Sequence, residues 1–181
     1  MAFVHLHNHT EYSLLDGLTH VKDMVRRAAD LDMPAVAITD HGVMSGVPEL
    51  CDACTAVEKE TGKKVKPIYG CEVYFTTDEE LRKDVKPKLY HLLLLAKTNE
   101  GYHTLLHLVS DSHVDNFYYK PRTTFSMLQQ YGHGIIGSSA CIAGIIPKLL
   151  DNRQFDDAVE WARRFASCFD EGDFYIELQN Q

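Results

Sequence analysis

Residues 35–42 read AVAITDHG, four apolar residues that run directly into a polar turn. A short apolar run that ends in turn residues predicts a buried β-strand. On both sides of this stretch, similar apolar runs alternate with segments of helical spacing, which predicts an α/β domain with a mainly parallel sheet. Strands are predicted at 3–7, 35–39, 67–75, 89–97, 134–139 and 174–179, and helices at 20–31, 48–61, 100–114, 123–131, 143–150 and 156–169. Gly62 is expected to end the helix at 48–61, and residues 117–122 are expected to be a loop.

The composition is that of a globular domain with an acidic balance. The 181 residues are 45% hydrophobic and 24% charged, and the formal net charge is −8. This charge argues against binding nucleic acid through a basic surface, although bound divalent cations would reverse the sign locally. No apolar run approaches the roughly 20 residues of a membrane span, and the N-terminus does not resemble a signal peptide. Five scattered cysteines predict a reducing, cytoplasmic location, and no linker divides residues 1–181.

Histidine is the most unusual component, with ten in the chain. His5, His7 and His9 alternate along the first predicted strand and its exit, so their side chains are expected on one face. A single strand histidine is usually a core residue with its hydrogen bonds satisfied, but an H-x-H pair at a strand end favours metal binding. The pattern leaves open whether the pair is His5/His7 or His7/His9.

Further polar residues follow the ends of predicted strands. Asp40 and His41 come directly after the second strand, where α/β sheets commonly bind ligands, although Asp and Gly are also ordinary turn residues. Asp40 is expected to accept a hydrogen bond from a metal-binding imidazole. Asp16 lies in the loop after the H-x-H pair, where a turn or helix-entry role is the alternative.

Three more candidate ligands interrupt or follow apolar runs. Glu72 and His91 lie within predicted strands, and Cys141 follows the strand at 134–139. A carboxylate in a buried strand is costly unless it is paired or binds metal, although Glu72 could point outward and Cys141 could be a core residue. Mixed imidazole and carboxylate ligands favour zinc, manganese or iron over Mg²⁺ or Ca²⁺, which prefer oxygen ligands alone.

The ordered motifs resemble those of the PHP (polymerase and histidinol phosphatase) superfamily. The similarity is greatest to the PHP domain at the N-terminus of bacterial DNA polymerase III α subunits, and it covers essentially the whole chain. It is carried by His7-Asn8-His9-Thr10, Asp16, Thr39-Asp40-His41-Gly42, Glu72, His91 and Cys141, and by the segments 3–17, 33–42, 66–70, 117–122 and 174–180.

This resemblance implies a distorted (β/α)7 barrel with up to three metal ions. It implies that His7 and His9 hold the first metal, with His5 as a neighbour, and that Glu72 bridges it to a second. His91 and Cys141 would complete the second site, and Asp16 and His41 would hold a third metal. Glu72, His91 and Asp40 would be the catalytic residues. The family's last ligands, an Asp-x-His pair, have no counterpart in residues 1–181, so the domain is expected to be truncated before its last strand.

The implied activity is zinc- or manganese-dependent hydrolysis of phosphodiesters, as a proofreading 3′–5′ exonuclease. Its implied partners are DNA, at the primer 3′ end and through the parent polymerase, and other replisome subunits, but no membrane. Because of the expected truncation, the fragment alone should be weakly active or inactive. Two alternatives remain: a structural module that stabilises the polymerase without catalysis, and a free-standing PHP phosphatase that acts on small phosphomonoesters.

Overall fold

The computed structural model describes residues 3–81 and 87–179 and divides the chain into two compact units, Met1–Cys71 and Glu72–Gln181. The predicted α/β class is confirmed. The described helices and strands, in chain order, are α1 Val21–Asp30, β1 Ala35–Ile38, α2 Val47–Thr61, β2 Lys66–Phe75, a 3-10 helix Asp78–Glu80, β3 Tyr90–Ala96, α3 Asn99–Val114, β4 Phe117–Tyr118, β5 Lys120–Thr123, α4 Phe125–Tyr131, β6 Ile135–Ser138, α5 Ile145–Asp151, α6 Phe155–Ala166 and β7 Phe174–Tyr175.

In the first unit, two packed helices accompany a parallel strand pair. β1 pairs with the first half of β2 in the register Ala35↔Lys66 to Ile38↔Tyr69, and α1 packs against α2. The α1 helix buries an apolar stripe at helical spacing, and α2 ends at Gly62, whose φ of 73° suits a residue without Cβ.

The predicted first strand, residues 3–7, is not a regular strand in the structure. The His5 carbonyl accepts from Ala37 N–H and the Asn8 carbonyl accepts from Thr39 N–H. Three residue steps on one side therefore oppose two on the other, and this extra residue interrupts the ladder as a β-bulge does. The Asn8 side-chain amide bridges the irregularity by donating to the His5 and Ala37 carbonyls.

In the second unit the strand order is β4-β5-β2-β3-β6-β7. β2 pairs with β5 and β6 with β7 in parallel, while β3 pairs with β6 and β4 with β5 antiparallel. This mixed sheet differs from the mainly parallel sheet that was predicted. Between β3 and β6 the chain passes through α3, β4, β5 and α4 rather than the single crossover helix that parallel neighbours need.

Two local predictions in this unit are wrong. Residues 117–122 were expected to be a loop, but they form most of the β4–β5 hairpin, with Tyr119 at its turn in the left-handed region (φ 61°). The last predicted strand shortens to Phe174–Tyr175, and residues 176–179 have no regular structure.

The core of the second unit combines a buried strand with aromatic packing. All four leucines of residues 92–95 are buried, and the ring of Phe75 meets the edges of Trp161 and Phe165 from α6. Within the described ranges, no helix combines the length and apolar character needed to cross a membrane.

Candidate metal centre

In the first unit, His7 and His9 present ring nitrogens to the same point. Their Nε2 atoms lie 3.3 Å apart. Two imidazole nitrogens bound to one tetrahedral zinc at about 2.05 Å would be separated by about 3.4 Å, so the pair fits such a metal. His5 is set apart from the pair, because its ring packs edge-on against Phe3 and lines a cavity beside α1 with Met24 and Val36.

Asp16 and His41 form a second contact in the same unit. His41 Nε2 lies 2.7 Å from Asp16 Oδ2, and the His41 ring stacks on His9 at a centroid distance of 4.1 Å. His9, Asp16 and His41 each offer a ligand atom within 4.8 Å of the others, which makes them a group able to hold a metal ion.

Asp40 is buried beside these residues, with 1% of its surface exposed. It accepts hydrogen bonds from Thr10 N–H at 2.6 Å, from the Thr10 hydroxyl at 2.8 Å and from the Ser13 hydroxyl at 2.7 Å. Among the described residues its donors are thus an amide and two hydroxyls, not the imidazole that was expected.

Ser13 is a residue that sequence reasoning missed. Its Oγ contacts Asp40, lies 2.9 Å from His9 Nδ1 and accepts from His41 N–H at 3.1 Å. Ser13 thereby connects the buried carboxylate to one candidate ligand and to the backbone of another. The only available signal was a hydroxyl residue in the loop that follows the histidine pair.

In the second unit, Glu72, His91 and Cys141 converge from three parts of the sheet. Glu72 lies in β2, His91 is the second residue of β3 and Cys141 follows β6. Because β3 and β6 are antiparallel, the beginning of β3 adjoins the end of β6, which brings His91 towards Cys141.

The separations among these three donors suit a single transition metal. His91 Nδ1 lies 3.1 Å from Glu72 Oε1 and 3.5 Å from Cys141 Sγ, and the last two atoms are 3.6 Å apart. Tetrahedral zinc with bonds of about 2.05 Å to N or O and about 2.3 Å to S would give about 3.4 Å and about 3.6 Å. Three protein donors with a fourth position left for water or substrate are typical of catalytic zinc.

The His91 imidazole is electrostatically coupled to its neighbours. Burial lowers the pKa of His91, but hydrogen bonds with Cys141 and Glu72, together with their charges, outweigh it and raise the pKa to about 9. A metal ion would therefore compete with a proton at this position.

Comparison with known proteins identifies a domain family, related sequences and a similar fold. The PHP domain family profile matches residues 5–181. The chain is 41% identical to the DNA polymerase III subunit alpha of Borreliella burgdorferi over 180 residues and 40% identical to that of Helicobacter pylori over 187 residues. Each alignment covers 98% of this chain and 15% of the relative, so the chain spans a small part of the length of the curated relatives it matches.

Among solved structures, the fold is similar to that of a Bifidobacterium adolescentis protein described as a metal-dependent phosphoesterase. The TM-score is 0.53 at 16% identity, and the alignment covers 98% of this chain and 77% of the other. At this identity the likeness concerns the fold alone. The family profile, in contrast, extends over nearly every residue, and the chain therefore belongs to the PHP domain family.

Proposed function

We propose that this chain is the N-terminal PHP domain of a bacterial DNA polymerase III α subunit, and that it hydrolyses the 3′-terminal phosphodiester of DNA. The observation that carries the proposal is the convergence of Glu72, His91 and Cys141, with donor separations of 3.1–3.6 Å. The similarity to DNA polymerase III α subunits over 98% of the chain supports DNA as the substrate.

The proposed roles follow from the donor sets of the two units. Glu72, His91 and Cys141 would hold one metal, and a second set of four residues would hold the others: His7, His9, Asp16 and His41. When bound, Zn²⁺ or Mn²⁺ supplies a hydroxide nucleophile near neutral pH and stabilises the charge that develops on phosphate oxygens. Asp40 would act indirectly, because it contacts Ser13 and Thr10 rather than a reacting atom.

The acidic charge of the chain bears on how DNA would reach it. A net charge of −8 provides little general attraction for a phosphate backbone. Metal ions would offset this charge where the ligands cluster. We therefore propose that the parent polymerase, with other replisome subunits in the bacterial cytoplasm, delivers the primer 3′ end.

The test uses the full polymerase and a labelled primer with a mismatched 3′ end. His91→Gln and Glu72→Gln should lower the exonuclease rate by more than the roughly 10–100-fold that is typical when a hydrogen-bond partner of a metal ligand is removed. His103→Gln is the matched control, since His103 is an exposed residue of α3. DNA synthesis by the same preparations monitors folding.

Metal analysis of the same variants separates the alternatives. Exonuclease loss together with metal loss supports the proposal. Background exonuclease activity in the unmodified protein, with altered thermal stability in the variants, would instead indicate a structural module. Hydrolysis of small phosphomonoesters but not of DNA would indicate a phosphatase.

A further inference from the structure

The Ser13 hydroxyl has three polar neighbours but only one proton to donate. Its Oγ lies 2.7 Å from Asp40 Oδ1, 2.9 Å from His9 Nδ1 and 3.1 Å from His41 N. Ser13 is almost fully buried, with 1% of its surface exposed. The direction of each hydrogen bond follows from whether the neighbouring group can donate or accept a proton.

Two of the three directions are fixed by chemistry. A backbone amide only donates, so His41 N–H donates to Ser13 Oγ. A carboxylate only accepts, so the Ser13 hydroxyl donates its proton to Asp40. With its proton used, Ser13 Oγ can only accept from the third neighbour, and His9 must donate from Nδ1–H.

This direction determines the form of the His9 ring. A neutral imidazole with its proton on Nδ1 carries its lone pair on Nε2. His9 Nε2 is the atom that lies 3.3 Å from His7 Nε2. The metal-binding lone pair thus points to the position that the two histidines share.

We propose that Ser13 is a positioning residue that holds His9 in its Nδ1–H tautomer, which places on Nε2 the lone pair that would bind metal. Asp40 supports this arrangement because its carboxylate accepts the Ser13 hydroxyl proton. The carboxylate is fixed in turn by hydrogen bonds from the Thr10 amide and hydroxyl. The inference rests on the metal-binding role proposed for His7 and His9, but the tautomer can be measured without metal.

The first test is ¹⁵N–¹H correlation spectroscopy of the metal-free protein with ¹⁵N-labelled histidine, at mildly alkaline pH. We expect the His9 proton on Nδ1. A proton found on Nε2 in the unmodified protein overturns the inference, whatever metal or nuclease assays give.

The second test compares Ser13→Ala with Thr10→Val. Both remove one hydroxyl donor from Asp40, but only Ser13→Ala removes the acceptor of His9 Nδ1–H. Ser13→Ala should shift His9 towards the Nε2–H form and weaken Zn²⁺ binding by about 10–100-fold, the usual cost of losing such a partner. Thr10→Val should leave the His9 tautomer unchanged.

The Zn²⁺ titrations are made in a Cys141→Ala background, so that the second unit's donor set contributes less to the signal. Equal tautomer shifts in Ser13→Ala and Thr10→Val would overturn the inference, because the cause would then be the disturbed Asp40 carboxylate. A normal His9 tautomer in a protein without exonuclease activity would leave Ser13's role standing and count against the proposed function alone.

Discussion

A metal ion that binds His91 would have to displace a proton from its ring. Burial lowers its pKa, yet its hydrogen bonds and charge interactions with Cys141 and Glu72 raise the pKa to about 9, so the ring is protonated at pH 7 without metal. Zn²⁺ binding at this position should therefore release a proton and strengthen as pH rises, by up to about tenfold per unit for each proton, until about pH 9. Titration calorimetry in two buffers of different ionisation enthalpy measures the protons released.

The raised pKa of His91 gives the stability of the metal-free fold the opposite dependence on pH. A folded pKa of about 9 lies above the ordinary histidine value of 6.5. The stabilisation from protonated His91 is thus complete below about pH 6.5 and is lost as pH rises towards 9. A Zn²⁺ affinity that does not change between pH 7 and pH 9 would contradict this account of His91.

At the residue scale, the candidate ligands could be predicted from the sequence, but the residues that contact them could not. The candidate ligands could be picked out because imidazole, carboxylate and thiol groups are unusual in or beside apolar strands. The roles of Thr10 and Ser13 could not be predicted, because hydroxyl residues in a loop show no periodic pattern. Each role depends on a hydrogen bond to Asp40, which lies 30 positions from Thr10 and 27 positions from Ser13 in the sequence. The expected partner of Asp40 was an imidazole, but the contact to His9 passes through Ser13.

At the level of elements, the beginning of α3 depends on close contact between two glycines. A Cβ built at Gly101 would overlap the carbonyl oxygen of Gly134. Helix propensity alone predicts that Gly101→Ala stabilises by about 0.5–1 kcal/mol. Overpacking against a backbone atom costs about 1–3 kcal/mol or more, so we expect net destabilisation in urea unfolding.

A size series at Gly62 provides the control. Gly62 follows α2 with φ of 73°, and no atom of the described residues lies within 4 Å of the position that a Cβ would occupy there. Gly62→Ala should lower the free energy of unfolding by about 1–2 kcal/mol through backbone strain, and Gly62→Leu should lower it by little more. At Gly101 the loss should grow with side-chain size, and a Gly101→Ala protein as stable as the original would refute the overlap with Gly134 as a source of destabilisation.

Elements with strong periodicity could be predicted closely, whereas those set by tertiary pairing could not. β3 was predicted from its apolar run, and α2 from its helical spacing and terminal glycine. The β4–β5 hairpin contains Lys120, Pro121 and Arg122, which give no strand pattern, and it forms because β5 pairs with the second half of β2. Residues 3–7 have a strand-like alternation, but the bulge at Asn8 interrupts their pairing.

For the whole molecule, the α/β class followed from the alternation of apolar and helical segments. The division into two compact units could not be predicted from the sequence, because the boundary between them falls between Cys71 and Glu72, inside β2. A continuous strand has no change of composition and no Pro, Gly or Ser-rich stretch at that point. Contact density in three dimensions defines this boundary, and a linear pattern does not contain it.

Metal should stabilise the folded chain as a whole, because the donor sets exist only when the chain is folded. Free Zn²⁺ at 100 times its dissociation constant adds about 2.7 kcal/mol per site. For a protein of this size each kcal/mol raises Tm by about 2–4 °C, so one site should contribute about 5–11 °C. Scanning calorimetry with Zn²⁺ and with a chelator measures this rise.

Cysteine variants assign part of the metal-induced rise to a particular donor set. Cys141→Ala removes the sulfur that lies 3.5 Å from His91 Nδ1 and 3.6 Å from Glu72 Oε1, so the Zn²⁺-dependent rise in Tm should shrink by the share of that site. Cys51→Ala is the matched control, since Cys51 is exposed on α2 and has no place in either donor set. If Cys141→Ala kept the full rise, the stabilising metal would have to bind elsewhere, and the proposed ligand set of the second unit would be wrong.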